Sequence, residues 1–113
     1  MSAYVIAYVR RVYDRKGLEE YWASVAPTFV GTGAKPISVY TSFQHVEGPG
    51  PIEGVVLVEF PDTETAHAWY FGKAYQAVKE LRAGAADIDL VIAEGGVVTD
   101  PELRMRVTRI PAR

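Results

Sequence analysis

Glu59 is the residue whose setting most clearly suggests chemistry. It is the one charged residue in the apolar run from Val55 to Phe60, and such a run is typical of a strand covered on both faces. A carboxylate buried there must be paired or must keep its proton. In a dry site with weak partners, Glu59 would be a usable general base.

Arg82 is the candidate partner of that carboxylate. Its spacing from Val78 and Leu81 places it on the inner side of a helix. From there the guanidinium can pair with Glu59, or it can hold the carboxylate of a ligand. We predict Glu59 as catalytic base and Arg82 as the orienting cation. The alternative is an ion pair between them that only positions the helix.

Aromatic residues make up 12% of the chain, which favours an aromatic-lined pocket in a protein of this size. The side chains predicted to line it are Tyr4, Tyr8, Trp22, Trp69 and Tyr75. The hydroxyl of Tyr8 or Tyr75 would then donate a hydrogen bond to a substrate oxygen. Ordinary core packing of these rings is the alternative.

His45 and His67 are the two histidines of the chain. Neither belongs to an i, i+4 pair or an HExxH pattern, so we predict no metal site. No attachment motif supports a haem, and no cofactor is predicted. His45 shares a predicted strand face with Phe43 and is a candidate proton shuttle, whereas His67 is predicted to be exposed.

Several classes of function lack the residues or charge they need. The chain has no cysteine, which removes thiolate nucleophiles, thiolate metal sites and disulfides. The segment from Gly31 to Lys35 lacks the spacing of a phosphate loop, and no Gly-x-Ser-x-Gly elbow occurs. The net charge of -2 argues against a nucleic-acid partner. No run of apolar residues predicts a membrane span, so we expect a cytoplasmic protein.

The predicted elements follow one another as strand, helix, strand, strand, helix, strand. The strands are predicted at Ala3–Arg10, Lys35–Val46, Val55–Phe60 and Asp87–Glu94. One helix follows the cap Asp14 and ends or kinks near Ala26, because Pro27 lies in its apolar stripe. The second follows Asp62 and breaks at Gly72. This order predicts an α+β ferredoxin-like sandwich, with a four-stranded antiparallel sheet and two helices on one face.

That arrangement leaves one sheet face without helices, although the strands are apolar on both faces. In the first strand, Ala3, Val5, Ala7 and Val9 alternate with Tyr4, Ile6 and Tyr8. We therefore predict that the same face of a second copy covers it, giving a two-fold homodimer.

The end of the chain is predicted to be separate from the domain formed by residues 1–96. Residues 97–113 carry four arginines and two acids, whereas residues 1–94 are net acidic. Pro101 to Ile110 alternates apolar and polar residues, which predicts a short fifth strand or an arm that crosses the partner. A frayed terminus is the alternative.

The stretch EFPDTETAHAWYFGKAYQAVKELR, residues 59–82, resembles a bacterial family known as domain of unknown function 1330. The opening AYVIAYV and the closing IAEG extend the resemblance to about residues 3–95. Gly72, Lys73 and Ala74 depart from it, since relatives have a lead-in like Ser-Pro-Glu before Tyr75. The resemblance implies the dimeric α+β barrel superfamily, in which two sheets meet face to face and each subunit has a cleft between sheet and helices.

The superfamily includes cofactor-free monooxygenases, lactone isomerases and haem-handling enzymes, so the resemblance implies no single reaction. We expect a homodimer that binds a small aromatic or carboxylated molecule in the cleft. As an enzyme it would perform cofactor-independent acid–base chemistry of the isomerase or monooxygenase type. The alternative is a dimeric binding or structural module without enzymatic activity.

Overall fold

The computed structural model describes residues 1–109. Its strands are β1 (Ala3–Val12), β2 (Lys35–Val39), β3 (Gly54–Phe60) and β4 (Ala86–Glu94), and its α-helices are α1 (Arg15–Val25), α2 (Thr63–Phe71) and α3 (Lys73–Lys79). Short 3-10 turns cover Ala26–Phe29, Glu80–Arg82 and Pro101–Leu103. No helix in the described part of the chain has the length and apolar character needed to cross a bilayer.

The four strands form one antiparallel sheet in the order β2-β3-β1-β4. Tyr4 lies opposite Glu59 and Val5 opposite Val58, which sets the register of the two central strands. This order, with the helices in the two crossovers, confirms the predicted α+β ferredoxin-like fold.

The core lies between the sheet and the helices, on the small-residue face of β1. Ala3, Val5, Ala7 and Val9 are all at most 9% exposed. Small side chains allow the helices to approach the sheet closely, and the space is filled by larger groups from the other elements. The larger buried side chains that fill this space are Leu18, Tyr21, Phe60, Trp69 and Tyr75.

The helix ends follow the local signals in the sequence. The carboxylate of Asp14 accepts a hydrogen bond from the Gly17 backbone N–H (3.1 Å), and that of Asp62 accepts one from Thr65 (2.7 Å). Both satisfy donors that the first helical turn leaves free. As predicted, α1 ends at Val25 before Pro27, and Gly72 separates α2 from α3.

The predicted strand Lys35–Val46 is too long, because β2 ends at Val39. The backbone N–H of Tyr40 still donates to the Val55 carbonyl (3.1 Å), but Tyr40 then takes a left-handed φ of 53°. Since β3 begins at Gly54, the chain beyond Tyr40 has no strand to pair with. Residues 41–51 are exposed and irregular instead.

The described part of the tail forms no strand within this chain, and the strand or arm that crosses a partner stays a prediction. Residues 97–109 contain one 3-10 turn and no strand, and Ile110 lies outside the described residues. Asp100 caps the turn at Pro101, and Met105 adopts a left-handed φ of 60°. These two features interrupt the extended backbone that the alternating pattern suggested.

The second face of the sheet has no helix on it in residues 1–109. Tyr4, Ile6 and Tyr8 of β1 lie beside Glu59, Leu57 and Val55 of β3, respectively. Val91 of β4 extends the same surface and is 48% exposed. We call this surface, made by these seven residues, the open face.

Candidate functional site

A cavity of about 340 Å³ lies between the sheet and α1. Most of its wall is aliphatic and comes from Val5, Ala7, Val25, Val56, Ile88 and Leu90. Aromatic rings, Tyr21, Trp22, Tyr40 and Trp69 among them, form another part of the wall. We call it the inner cavity. Its size and apolar wall are typical of a small-molecule pocket.

A cluster of two buried tyrosines and one half-buried arginine touches this cavity through Tyr21. The hydroxyls of Tyr21 and Tyr75 are 2.9 Å apart and hydrogen-bonded. Arg82 donates to the Tyr75 hydroxyl from Nε and Nη2, both at 3.4 Å, and its guanidinium lies 5.7 Å from the centroid of the Tyr21 ring. Among residues 1–109, no carboxylate lies within ion-pair distance of Arg82. The cluster is therefore a cation held by neutral hydroxyls.

Burial strongly perturbs the hydroxyls near this cavity. Desolvation, followed by the interaction with Tyr75, raises the pKa of Tyr21 well above its usual range. Burial also raises the pKa of Tyr40, against opposing effects of Trp22 and Arg82. Both side chains therefore stay neutral at physiological pH and act as hydrogen-bond donors and acceptors.

Trp22 and Tyr40 separate the inner cavity from a second cavity of about 350 Å³. Their ring centroids are 4.8 Å apart. The second cavity has a more polar wall, which includes Arg15, Thr41 and Glu53, and we call it the outer cavity. The indole Nε1 of Trp22 is buried and makes no hydrogen bond of normal geometry, which is a costly state for a donor.

Trp69 and Tyr75 belong mainly to the core. Trp69 stacks on Phe29 (centroids 5.0 Å apart) and packs against Tyr75 (4.2 Å), and its indole N–H donates to Thr28 Oγ1 (2.9 Å). Tyr75 is fully buried. Both rings are fixed by their neighbours, so Trp69 is a rigid part of the inner cavity wall and Tyr75 a rigid member of the cluster.

The predicted pairing of Glu59 with Arg82 is wrong. Glu59 alternates with Val58 and Phe60, which point to the helices, so its carboxylate points to the open face. There it accepts a hydrogen bond from the Tyr4 hydroxyl at 3.4 Å. Arg82 lies on the helix side of the sheet. The two-residue period of β3 therefore places a sheet between the two charged groups.

The predicted aromatic pocket is divided in the same way. Trp22 and Trp69 line the inner cavity, and Tyr75 lies behind it. Tyr4 and Tyr8 lie on the open face, where Tyr8 packs against the Arg10 guanidinium at 5.2 Å. Tyr8 therefore does not share a pocket with the other predicted binding residues.

The structure does not bring His45 to either cavity. It lies in the exposed segment after β2, and His67 is exposed on α2. Within residues 1–109, no three His, Asp or Glu side chains are close enough together to hold a metal ion. The three predicted catalytic residues, Glu59, Arg82 and His45, therefore lie at three separate places and do not form one active site.

Two residues of the site, Tyr21 and Tyr40, are not predicted as functional residues from the sequence. Tyr21 belongs to the apolar stripe of α1, and Tyr40 to the polar face of a predicted strand. The spacing of Tyr21 from Leu18 showed that it is buried, but the partner of its hydroxyl comes from α3. No sequence signal marked the left-handed φ of Tyr40, because such a backbone favours glycine or asparagine.

Solved structures similar to this one share its fold. A protein of unknown function from Rhodopseudomonas palustris has 17% identity over 86% of this chain and 84% of that chain, with a TM-score of 0.66. A dimeric ferredoxin-like protein of unknown function from Thermobifida fusca has 13% identity over 83% and 91%, with a TM-score of 0.57. A candidate antibiotic biosynthesis monooxygenase from Nitrosomonas europaea has 14% identity over 88% and 92%, with a TM-score of 0.56.

No curated protein is significantly similar in sequence to this chain. The family described as domain of unknown function DUF1330 matches residues 2–96. That range contains the whole sheet, all three α-helices and both cavities, and it ends before the tail. The protein belongs to the DUF1330 family.

Proposed function

We propose that this protein binds a small, largely apolar carboxylate in the inner cavity, with the carboxylate at the cluster of Arg82, Tyr75 and Tyr21. The observation that carries the proposal is a half-buried arginine that packs on Tyr21, a residue of the apolar cavity wall, and has no carboxylate partner in the described residues.

The charge of Arg82 favours an anionic ligand group. A half-buried cation whose side-chain partners are neutral hydroxyls has lost part of its hydration without gaining an opposite charge. A ligand carboxylate would supply that charge and accept hydrogen bonds from the guanidinium. The Tyr21 hydroxyl can donate to the same oxygens, because burial raises its pKa and keeps it protonated.

The wall of the inner cavity favours an apolar ligand body. An engineered cavity of about 150 Å³ is large enough for benzene, so the cavity of about 340 Å³ can hold a phenyl ring with a short chain. Val56, Ile88 and Leu90 would contact such a body without exposing a polar group to it.

The test compares the binding of carboxylates with the binding of the corresponding neutral alcohols. Hexanoate and 3-phenylpropanoate would be compared with hexan-1-ol and 3-phenylpropan-1-ol by thermal shift and titration calorimetry. At 100 times the dissociation constant, a ligand adds about 2.7 kcal/mol to the free energy of unfolding. We expect at least one carboxylate to raise the melting temperature and to bind more tightly than its alcohol.

Arg82→Gln should lower the affinity for the carboxylate at least about tenfold and leave the affinity for the alcohol nearly unchanged. Arg10→Gln is the matched control, because Arg10 pairs with Asp89 and packs on Tyr8, on the face of the sheet opposite the inner cavity. Equal binding of acid and alcohol, or equal effects of both substitutions, would contradict the proposal.

We also propose that the protein is a homodimer through the open face. Its apolar residues, Ile6, Leu57 and Val91 among them, have no covering element in residues 1–109. Dimeric ferredoxin-like proteins have the same fold. Two copies related by a two-fold axis would bury each other's open face.

Acid–base catalysis at Glu59 is a second candidate function. It is favoured by the Tyr4–Glu59 hydrogen bond on the open face and by the monooxygenase named among proteins of this fold. The substrate would then lie between the two sheets, because Glu59 does not reach the inner cavity. Chemistry of the isomerase or monooxygenase type would use Glu59 as base and Tyr4 to orient it.

Glu59→Gln separates the two functions. If Glu59 is catalytic, turnover of an acidic C–H compound is lost at least about a hundredfold, while carboxylate binding in the inner cavity is unchanged. Loss of stability with no change in turnover or binding would assign Glu59 a structural role only.

A further inference from the structure

We propose that the inner and outer cavities are two compartments of one ligand site, and that the ring of Tyr40 divides them and sets the longest ligand that fits. This inference rests on the proposed carboxylate binding. It assigns Tyr40 as the residue that determines specificity for ligand length.

The position of Tyr40 is the first reason. Tyr40 and Trp22 are the two residues that line both cavities, and their rings pack with centroids 4.8 Å apart. The cavities have volumes of about 350 and 340 Å³. Removing the smaller of the two rings would join them and nearly double the available space.

The backbone of Tyr40 is the second reason. Its φ of 53° is unfavourable for an aromatic residue, and the chain that follows is exposed and irregular. The ring is seated against Gly54, where an added Cβ would lie 3.2 Å from Tyr40 Cδ1. Packing on Trp22 and Gly54 therefore holds the ring, while its own backbone conformation works against it.

The buried indole N–H of Trp22 is the third reason. It is buried beside the Tyr40 ring without a hydrogen bond of normal geometry. A ligand that displaced the ring would gain access to this donor. The ligand class is therefore a longer carboxylate, and an oxygen acceptor along its chain would be recognised by Trp22.

Straight-chain carboxylates from hexanoate to decanoate test this assignment by titration calorimetry. Tyr40→Gly removes the ring and relieves the backbone, so the variant is expected to fold. Tyr40→Asn is the second ring-free variant, because asparagine tolerates a left-handed φ. Tyr40→Phe keeps the ring, and Tyr13→Ala removes an exposed tyrosine that lines neither cavity.

We expect Tyr40→Gly and Tyr40→Asn to bind decanoate at least about tenfold more tightly than the wild type does, since two or more additional methylenes would be buried. Tyr40→Phe and Tyr13→Ala should keep the wild-type preference. If the wild type binds hexanoate but the ring-free variants show the same dependence on chain length, the division by Tyr40 is refuted and carboxylate binding stands. If no carboxylate binds the wild type, both proposals are refuted.

Discussion

At the scale of single residues, the least ordinary feature is a cluster of hydroxyls without a carboxylate. Tyr21 and Tyr75 share a hydrogen bond at 2.9 Å, and Arg82 binds the second of them. Tyr21 lies 54 residues before Tyr75 in the sequence, so the complete cluster exists only in the folded state. Its ionisation must therefore be linked to stability.

The raised pKa of Tyr21 predicts how the free energy of unfolding changes at alkaline pH. In the unfolded chain it ionises near pH 10, whereas burial raises its pKa in the folded protein. Above pH 10 the unfolded state therefore holds fewer protons, and the free energy of unfolding falls by up to about 1.4 kcal/mol per pH unit from this group. Urea denaturation between pH 8 and 11 measures the decline.

Tyr21→Phe should make that decline shallower above pH 10, although it costs about 1 kcal/mol at pH 8 through the lost hydrogen bond. Tyr8→Phe is the control, since Tyr8 lies on the open face away from the cluster. Parallel declines for wild type and Tyr21→Phe would show that Tyr21 ionises equally in both states.

At the scale of elements, the connection from α1 to β2 depends on glycines that only the structure distinguishes. Gly31 and Gly33 have φ values of 81° and 75°. A Cβ on Gly33 would lie 2.8 Å from Pro61 Cγ, at the end of β3, whereas a Cβ on Gly31 would meet nothing within 4 Å. Gly31 thus permits the turn alone, whereas Gly33 permits both the turn and the close approach to Pro61.

Gly31→Ala should lower the free energy of unfolding by about 1–2 kcal/mol, which is the cost of a left-handed φ with a side chain. Gly33→Ala should cost about 1–3 kcal/mol more, because Pro61 must also move. Chemical denaturation of the two variants measures the difference. Equal losses would show that the Pro61 contact yields without cost.

At the scale of the whole molecule, the sheet is covered by helices on one face only. Ile6 and Leu57 lie near the centre of the open face, with Val91 beside them. Stable interfaces bury about 800 Å² on each partner, and a four-stranded sheet can supply such an area.

Leu57→Lys should convert the proposed dimer into a monomer at micromolar concentration, because two lysines would be buried near the two-fold axis. Val30→Lys is the control, since Val30 is 84% exposed in the connection after α1. Sedimentation velocity of both variants and the wild type measures the outcome. A wild type that stays monomeric would refute the dimer.

Deletion of residues 97–113 tests the predicted arm. Val97, Met105 and Val107 are 79–97% exposed, and burying even one such side chain on a partner is worth about tenfold in affinity. We therefore expect the truncated protein to dimerise at least about tenfold more weakly. An unchanged dissociation constant would show that the tail is independent of the partner.

Much of the fold could be predicted because its signals are local. Asp14, Asp62 and Gly72 define helix boundaries through hydrogen bonds and backbone angles within a few residues. The end of β2 at Val39 could not be predicted, since it depends on where β3 begins. The backbone of the tail could not be predicted for a related reason, because its alternating residues have no strand of this chain beside them in the described structure.

The order of the elements, their caps and the apolar character of both sheet faces follow from the amino-acid sequence alone. Which groups share a site depends on how the whole chain folds. The tertiary structure places Glu59 with Tyr4, and Arg82 with Tyr75 and Tyr21. The physical reason is that both faces of the central strands are apolar, so hydrophobicity did not show which one meets the helices. Strand pairing and helix packing across the whole chain determine which face of the central strands meets the helices. The location of every candidate group depends on that face.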